Sequence, residues 1–220
     1  MTNRIPGRNH GRDYFASVFL LGLTSIAAQI ILLREFLSFF YGNELVLGLI
    51  LANWMLLTGL GAYLAKNAEK RVFSLAPPIS MLGMLAVLPF LLVFLMYYLR
   101  NLVFVQGSML SLLEIYISSL VLLLPFCLLS GFIFTILGEL TSRYHQKNLI
   151  SKVYAWESFG SLAGGVVFNL VLIWFLKTFQ CLTLLALLNL LMLSWLAWRS
   201  RNRKLVWFTG ALLVGMVVLN

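Results

Sequence analysis

Charge is scarce in this chain of 220 residues: only 10% of them are Asp, Glu, Lys or Arg, and just 7 are acidic. No soluble domain of ordinary composition is so poorly charged. Long polar stretches are missing as well. The longest runs from Glu139 to Val153, too short for a folded soluble domain of about 50 residues or more. Cysteine is limited to Cys127 and Cys181, each in an apolar run, so neither a disulfide framework nor a thiolate metal site is indicated. His10 and His145 lack ligand spacing to each other or to paired acids, which leaves no expected metal site. No Walker loop, HExxH, GxGxxG or Ser-His-Asp set occurs, and Gly59-Leu60-Gly61 lies inside an apolar run without phosphate-binding context. No catalytic residue and no cofactor are therefore assigned.

Apolar sequence is abundant. Hydrophobic residues make up 61% of the chain, with a mean hydropathy of +0.96. Stretches of about 20 apolar residues are read as membrane helices near Tyr14–Phe40, Leu45–Ala65, Leu75–Leu99, Ile115–Leu137, Tyr154–Leu176, Cys181–Trp198 and Leu205–Leu219. The fold class is thus all-α, a polytopic transmembrane bundle of about 7 spans, with residues 1–13 as a short N-terminal segment and 14–220 as the helical domain. The last span is short and ends at Asn220 without a polar flank, so the domain is expected to be truncated there. The basic start before a long apolar run reads as an uncleaved first helix, because the run continues well past Ser25 and Ala27. Asn101–Glu114 is too apolar for an ordinary loop and too short to span, and reads as an interfacial segment.

The basic residues alternate between crowded and sparse loops. One set of connections holds Arg4, Arg8, Arg12, Lys66, Lys70, Arg71, Arg143, Lys147, Lys152, Arg199, Arg201, Arg203 and Lys204; the other holds only Arg34, Arg100 and Lys177. Such a bias puts the N-terminus and every crowded loop in the cytoplasm. With Asp13, Glu69, Glu139 and Glu157 inside and Glu35, Glu44 and Glu114 outside, the whole net charge of +9 lies on the cytoplasmic side. That excess serves orientation and attraction to anionic lipid, so the bilayer is the expected partner and nucleic acid is not.

Small residues mark expected packing faces: Gly48, Ala52, Gly59 and Ala62 in the second span, Cys127, Gly131, Thr135 and Gly138 in the fourth, and Gly160 with Gly164 in the fifth. Pro89 and Pro125 fall inside the third and fourth spans, where each removes a backbone donor. Trp174, Trp195, Trp198, Trp207, Tyr97 and Tyr98 cluster near span ends as interfacial anchors.

Polar groups at membrane depth are costly and so are candidate substrate-binding residues. Glu157 is first among them, on the face of Gly160 and Gly164, with an anion-stabilising place in the first turn of its helix as the structural alternative. Gln29, Arg34 and Asn53 complete the set. Interhelical hydrogen bonding is the other use of Gln29 and Asn53, and snorkelling or pairing with Glu44 that of Arg34, which lies beside Glu35.

Several segments carry a family resemblance: Gly22–Gln29 (GLTSIAAQ), Leu33–Glu35 (LRE), Tyr41–Glu44 (YGNE), Leu57–Tyr63 (LTGLGAY), Leu124–Phe132 (LPFCLLSGF) and Val153–Gly165 (VYAWESFGSLAGG). In order and separation the chain resembles, over residues 17–178, the membrane domain of bacterial fused multi-pass spermidine synthase-like proteins. The resemblance implies a helical domain similar to half of a major-facilitator bundle, placed in the bacterial inner membrane. It also implies a cytoplasmic aminopropyltransferase-like domain as a fused or separate partner. The expected role is to anchor that enzyme, with binding or passage of a small polyamine-like substrate as an extension. An independent half-bundle transporter and a structural subunit that docks a soluble enzyme are the alternatives. The nucleoside-binding architecture of the family's catalytic domain is absent from this sequence.

Overall fold

A computed structural model of the chain describes residues 11–40, 42, 44–68, 76–103, 111–199, 207 and 209–211. These residues are almost all helical, with no strand among them. The helices are α1 (Gly11–Phe39), α2 (Glu44–Ala68), α3 (Ala76–Val103), α4 (Leu112–His145), α5 (Ile150–Val167), the short α6 (Ile173–Phe175) and α7 (Thr178–Arg199). Five of them, α1, α2, α3, α4 and α7, are long and apolar enough to cross a membrane.

The fifth expected span, Tyr154–Leu176, is not one α-helix. α5 begins earlier, at Ile150, and gives way after Val167 to a π-helical turn, Phe168–Leu172, before α6. Asn169 supplies a physical reason: its Nδ2 donates to the carbonyl of Gly165 at 2.9 Å, so a side chain competes with the backbone for that acceptor. Of the seventh expected span, Leu205–Leu219, only Trp207, Thr209, Gly210 and Ala211 are described. The expected interfacial segment lies mostly outside the described residues, and its ends belong to helices. Asn101–Val103 close α3, and Ser111 caps α4 through a capping box in which Ser111 Oγ accepts from Glu114 N and Glu114 Oε2 from Ser111 N. The polar stretch Glu139–Val153 is also mainly helical; only Gln146–Leu149 interrupt it, with Gln146 in the left-handed region at φ 52° ending α4. α3 and α4 run through Pro89 and Pro125.

Contacts along the helices fix their relative directions. Tyr14 meets Tyr144 while Ser25 meets Ser130, so α1 and α4 are antiparallel. Thr24 meets Asn189 while Glu35 meets Thr178, so α7 also opposes α1. Phe15 and Phe19 touch Trp156 while Ile26 touches Gly164, which makes α5 parallel to α1. α2 runs parallel to α4, from Asn53 against Ser119 to Thr58 against Gly131. Each span therefore reverses the one before it, and the ends carrying Lys66, Arg143 and Lys152 lie at the level of the start of α1.

Lipid supplies no hydrophobic drive between helices, so close approach at small residues holds a bundle together. Two crossings do this here. At α2/α4 a Cβ on Gly61 would strike the Leu128 carbonyl and one on Gly131 the Thr58 carbonyl. At α1/α5 a Cβ on Gly22 would strike the Glu157 carbonyl and one on Gly160 the Phe19 carbonyl. In all four cases the carbonyl belongs to the residue three positions before the facing helix's own glycine. The two crossings are equivalent when α1 is exchanged with α4 and α2 with α5, and because α1 opposes α4, the exchange inverts the unit.

Gly59, expected to pack, does not. Nothing lies within 4 Å of a Cβ built on it or on Gly48. The helical repeat puts the stripe Gly48, Ala52 and Gly59 on the exposed side of α2, and the contact falls two residues later, at Gly61.

Candidate functional site

The four residues expected to bind substrate do not converge. Glu157 is half-buried on α5, Gln29 half-buried and Arg34 exposed on α1, and Asn53 buried on α2. Among the described residues no hydrogen bond joins any two of them. Glu157 sits two turns inside α5 rather than in its first turn, since the helix starts at Ile150, so the free N–H groups of the helix end do not reach it. Its backbone carbonyl makes the close contact with Gly22, while its carboxylate Oε1 accepts from Ser161 Oγ at 3.0 Å. The same hydroxyl lies 3.2 Å from the Gly22 carbonyl, so Ser161 ties the α5 side of the crossing to α1. Gly164 completes this face against Leu23 and Ile26.

Asn53 is 1% exposed, and its Nδ2 donates to the Tyr116 carbonyl at 3.0 Å and to Ser119 Oγ at 2.8 Å on α4. Its Oδ1 is buried with no hydrogen-bond partner. This is an interhelical tie with one acceptor left over. Two similar ties hold α1. The Thr24 hydroxyl faces both Asn189 Oδ1 and its own Leu20 carbonyl, and Ser25 and Ser130 hydroxyls are 3.1 Å apart. Arg34 and Glu44 form no ion pair with each other, whereas Arg143 and Glu139, one turn apart on α4, do pair.

Polar groups do gather around a residue that sequence reasoning passed over. Glu35 is only 8% exposed. Its Oε1 accepts from Thr178 Oγ1 at 2.7 Å and its Oε2 from Tyr97 OH at 3.1 Å. Three helices thus contribute: α1 near its C-terminal end, α3 near its C-terminal end and α7 at its first residue. A cleft beside the carboxylate is lined by Glu35, Ser38, Phe39, Met96 and Tyr97. Adjacent Arg34 is exposed and leaves the helix about 100° around from Glu35. The sequence held one usable signal: Glu35 stands at spacings of three and four from three apolar residues, Ile31, Leu32 and Phe39, all of which are buried.

Cys127 and Cys181 are both buried free thiols, and among the described residues no three His, Cys, Asp or Glu side chains gather as a metal site would require. His145 rests between Phe15 and Tyr144, with its Nδ1 2.9 Å from the Thr141 carbonyl. No protein-family model, curated protein or solved structure matches the chain.

Proposed function

We propose that this chain is the polytopic membrane domain of a spermidine synthase-like protein, set in a bacterial inner membrane with its N-terminus in the cytoplasm, and that it anchors an aminopropyltransferase-like domain there. In this reading α5, the π-helical turn and α6 together form a further span beside the five long helices, and Leu205–Leu219 forms the seventh. One observation carries the reading: successive helices reverse direction, so the ends bearing Arg12, Lys66, Arg143 and Lys152 share a face, and the sequence places thirteen of its 16 basic residues on connections of that face. A basic cytoplasmic rim holds the bundle in register with anionic lipid and leaves a docking surface for the enzyme. The close-packed glycine crossings make the bundle a firm support.

The test is co-expression. A soluble aminopropyltransferase-like domain should sediment with membranes when the chain is present and remain soluble when it is absent; equal distribution in both cells would end the anchoring role. The chain alone should turn over no decarboxylated S-adenosylmethionine with putrescine. A second reading, an independent half-bundle transporter, is favoured by the inverted equivalence of the α1/α5 and α2/α4 crossings, an arrangement on which many secondary transporters are built. Uptake of a labelled polyamine by cells expressing the chain, above the empty-vector level, would favour transport over anchoring.

A further inference from the structure

We propose that Glu35 binds a primary ammonium group in the cleft between α1 and α3, at the end of the bundle where α7 begins. The carboxylate is almost fully buried, and both of its hydrogen-bond donors, Tyr97 OH and Thr178 Oγ1, are neutral. Among the residues whose side chains are described, no Lys, Arg or His forms an ion pair with it. An ionised carboxylate has about four acceptor positions, and the two hydroxyls fill one on each oxygen. The remaining positions are open to a further donor, and a cationic one suits a carboxylate so deeply buried.

The walls of the cleft narrow the chemistry. Beside Glu35 the cleft is lined by Ser38, whose residue type offers a hydroxyl, and by Phe39, Met96 and Tyr97, which are aromatic or polarisable residues. Aromatic faces attract organic cations. One carboxylate with neutral hydroxyls is a poor donor set for a divalent metal, which takes about six or more oxygen ligands. A compact –NH3+ group with three donors suits it better, since it can serve the free carboxylate positions with a donor to spare for a neighbouring hydroxyl. This inference does not depend on the anchoring role. The three helices meet at their ends, close to the level of lipid headgroups, so the ammonium can come from an aminophospholipid or from a free amine.

Thermal melting of the purified full chain separates the sources. In one arm the protein is reconstituted in nanodiscs of phosphatidylethanolamine with phosphatidylglycerol, against phosphatidylcholine with phosphatidylglycerol; in the other, ethanolamine or putrescine is titrated in detergent. Stabilisation confined to phosphatidylethanolamine nanodiscs assigns the site to a headgroup, and stabilisation by the soluble amines assigns it to a free ligand. In the responding arm Glu35→Gln should lower apparent affinity by about tenfold or more, the scale of a lost charge-assisted hydrogen bond. Tyr97→Phe and Thr178→Val, which keep the charge but loosen its orientation, should weaken binding less, and they carry the test if Glu35→Gln fails to fold. No stabilisation in either arm, or an unchanged response in Glu35→Gln or in both orienting variants, overturns the proposal.

Discussion

Gly22 of α1 lies so close to the carbonyl of Glu157 on α5 that a single methyl group on it would overlap the oxygen. Gly160, one turn further along α5, meets the Phe19 carbonyl in the same way. Each helix thus offers the other a glycine and, three residues before it, a carbonyl. The α2/α4 crossing repeats the device with Gly61, Thr58, Gly131 and Leu128. Such contacts let backbones approach until weak Cα–H···O interactions and dispersion act over the whole crossing.

Substitutions at these glycines should therefore be costly, and those on the outer stripe should not. Gly131→Ala and Gly160→Ala place a methyl group against backbone that cannot rotate away, and each is expected to cost about 1–3 kcal/mol in detergent unfolding. Gly59→Ala fills open space and should be neutral or slightly stabilising, because alanine is the better helix former by about 1 kcal/mol. Equal losses at Gly59 and Gly131 would show that helix propensity, rather than the crossing, sets the effect.

Part of this architecture was legible in the sequence. Apolar runs located five long helices, since length and hydropathy are properties of the chain itself, although α4 continues eight residues past the expected end at Leu137, to His145. Gly131, Gly160 and Gly164 were readable as contact points because they sit at helical spacing. Gly59 was misread for the same reason: a stripe of small residues does not say which side of a helix faces a neighbour, and Gly48, Ala52 and Gly59 face outward. At the π-helical turn Phe168–Leu172 the Asn169 amide reaches the Gly165 carbonyl, a local competition that no hydropathy window detects. Glu35 was hidden by its charged neighbour, because its partners Tyr97 and Thr178 are distant in sequence and become visible only once α3 and α7 pack on α1.

Asn53 offers a test of how the interhelical ties work. Its amide donates twice to α4 while its Oδ1 has no partner. Asn53→Leu removes both bonds but also removes the stranded acceptor, so stability should change by less than about 1 kcal/mol, in line with the modest worth of such bonds in membranes. Asn53→Asp keeps the shape but substitutes an acceptor for the amide that faces the Tyr116 carbonyl, and introduces a charge at depth. That variant should lose about 2.5–3.5 kcal/mol. Equal stability of the Leu and Asp variants in thermal melts would mean that water reaches Asn53.

Orientation is the property on which the proposed role most depends. Successive reversal of the helices puts His145 and the crowded basic connections on one side and the connection between α3 and α4 on the other. In the proposed orientation the charge bias sets the first side in the cytoplasm. In intact cells, single cysteines in a background lacking Cys127 and Cys181 should reveal this: His145→Cys and Arg201→Cys should resist a membrane-impermeant thiol reagent, and Gly107→Cys should react. Permeabilisation should make all three react, which separates burial within the protein from protection by the membrane. Labelling of His145→Cys from outside, with Gly107→Cys protected, would invert the bundle and place its basic rim on the wrong side to anchor a cytoplasmic enzyme.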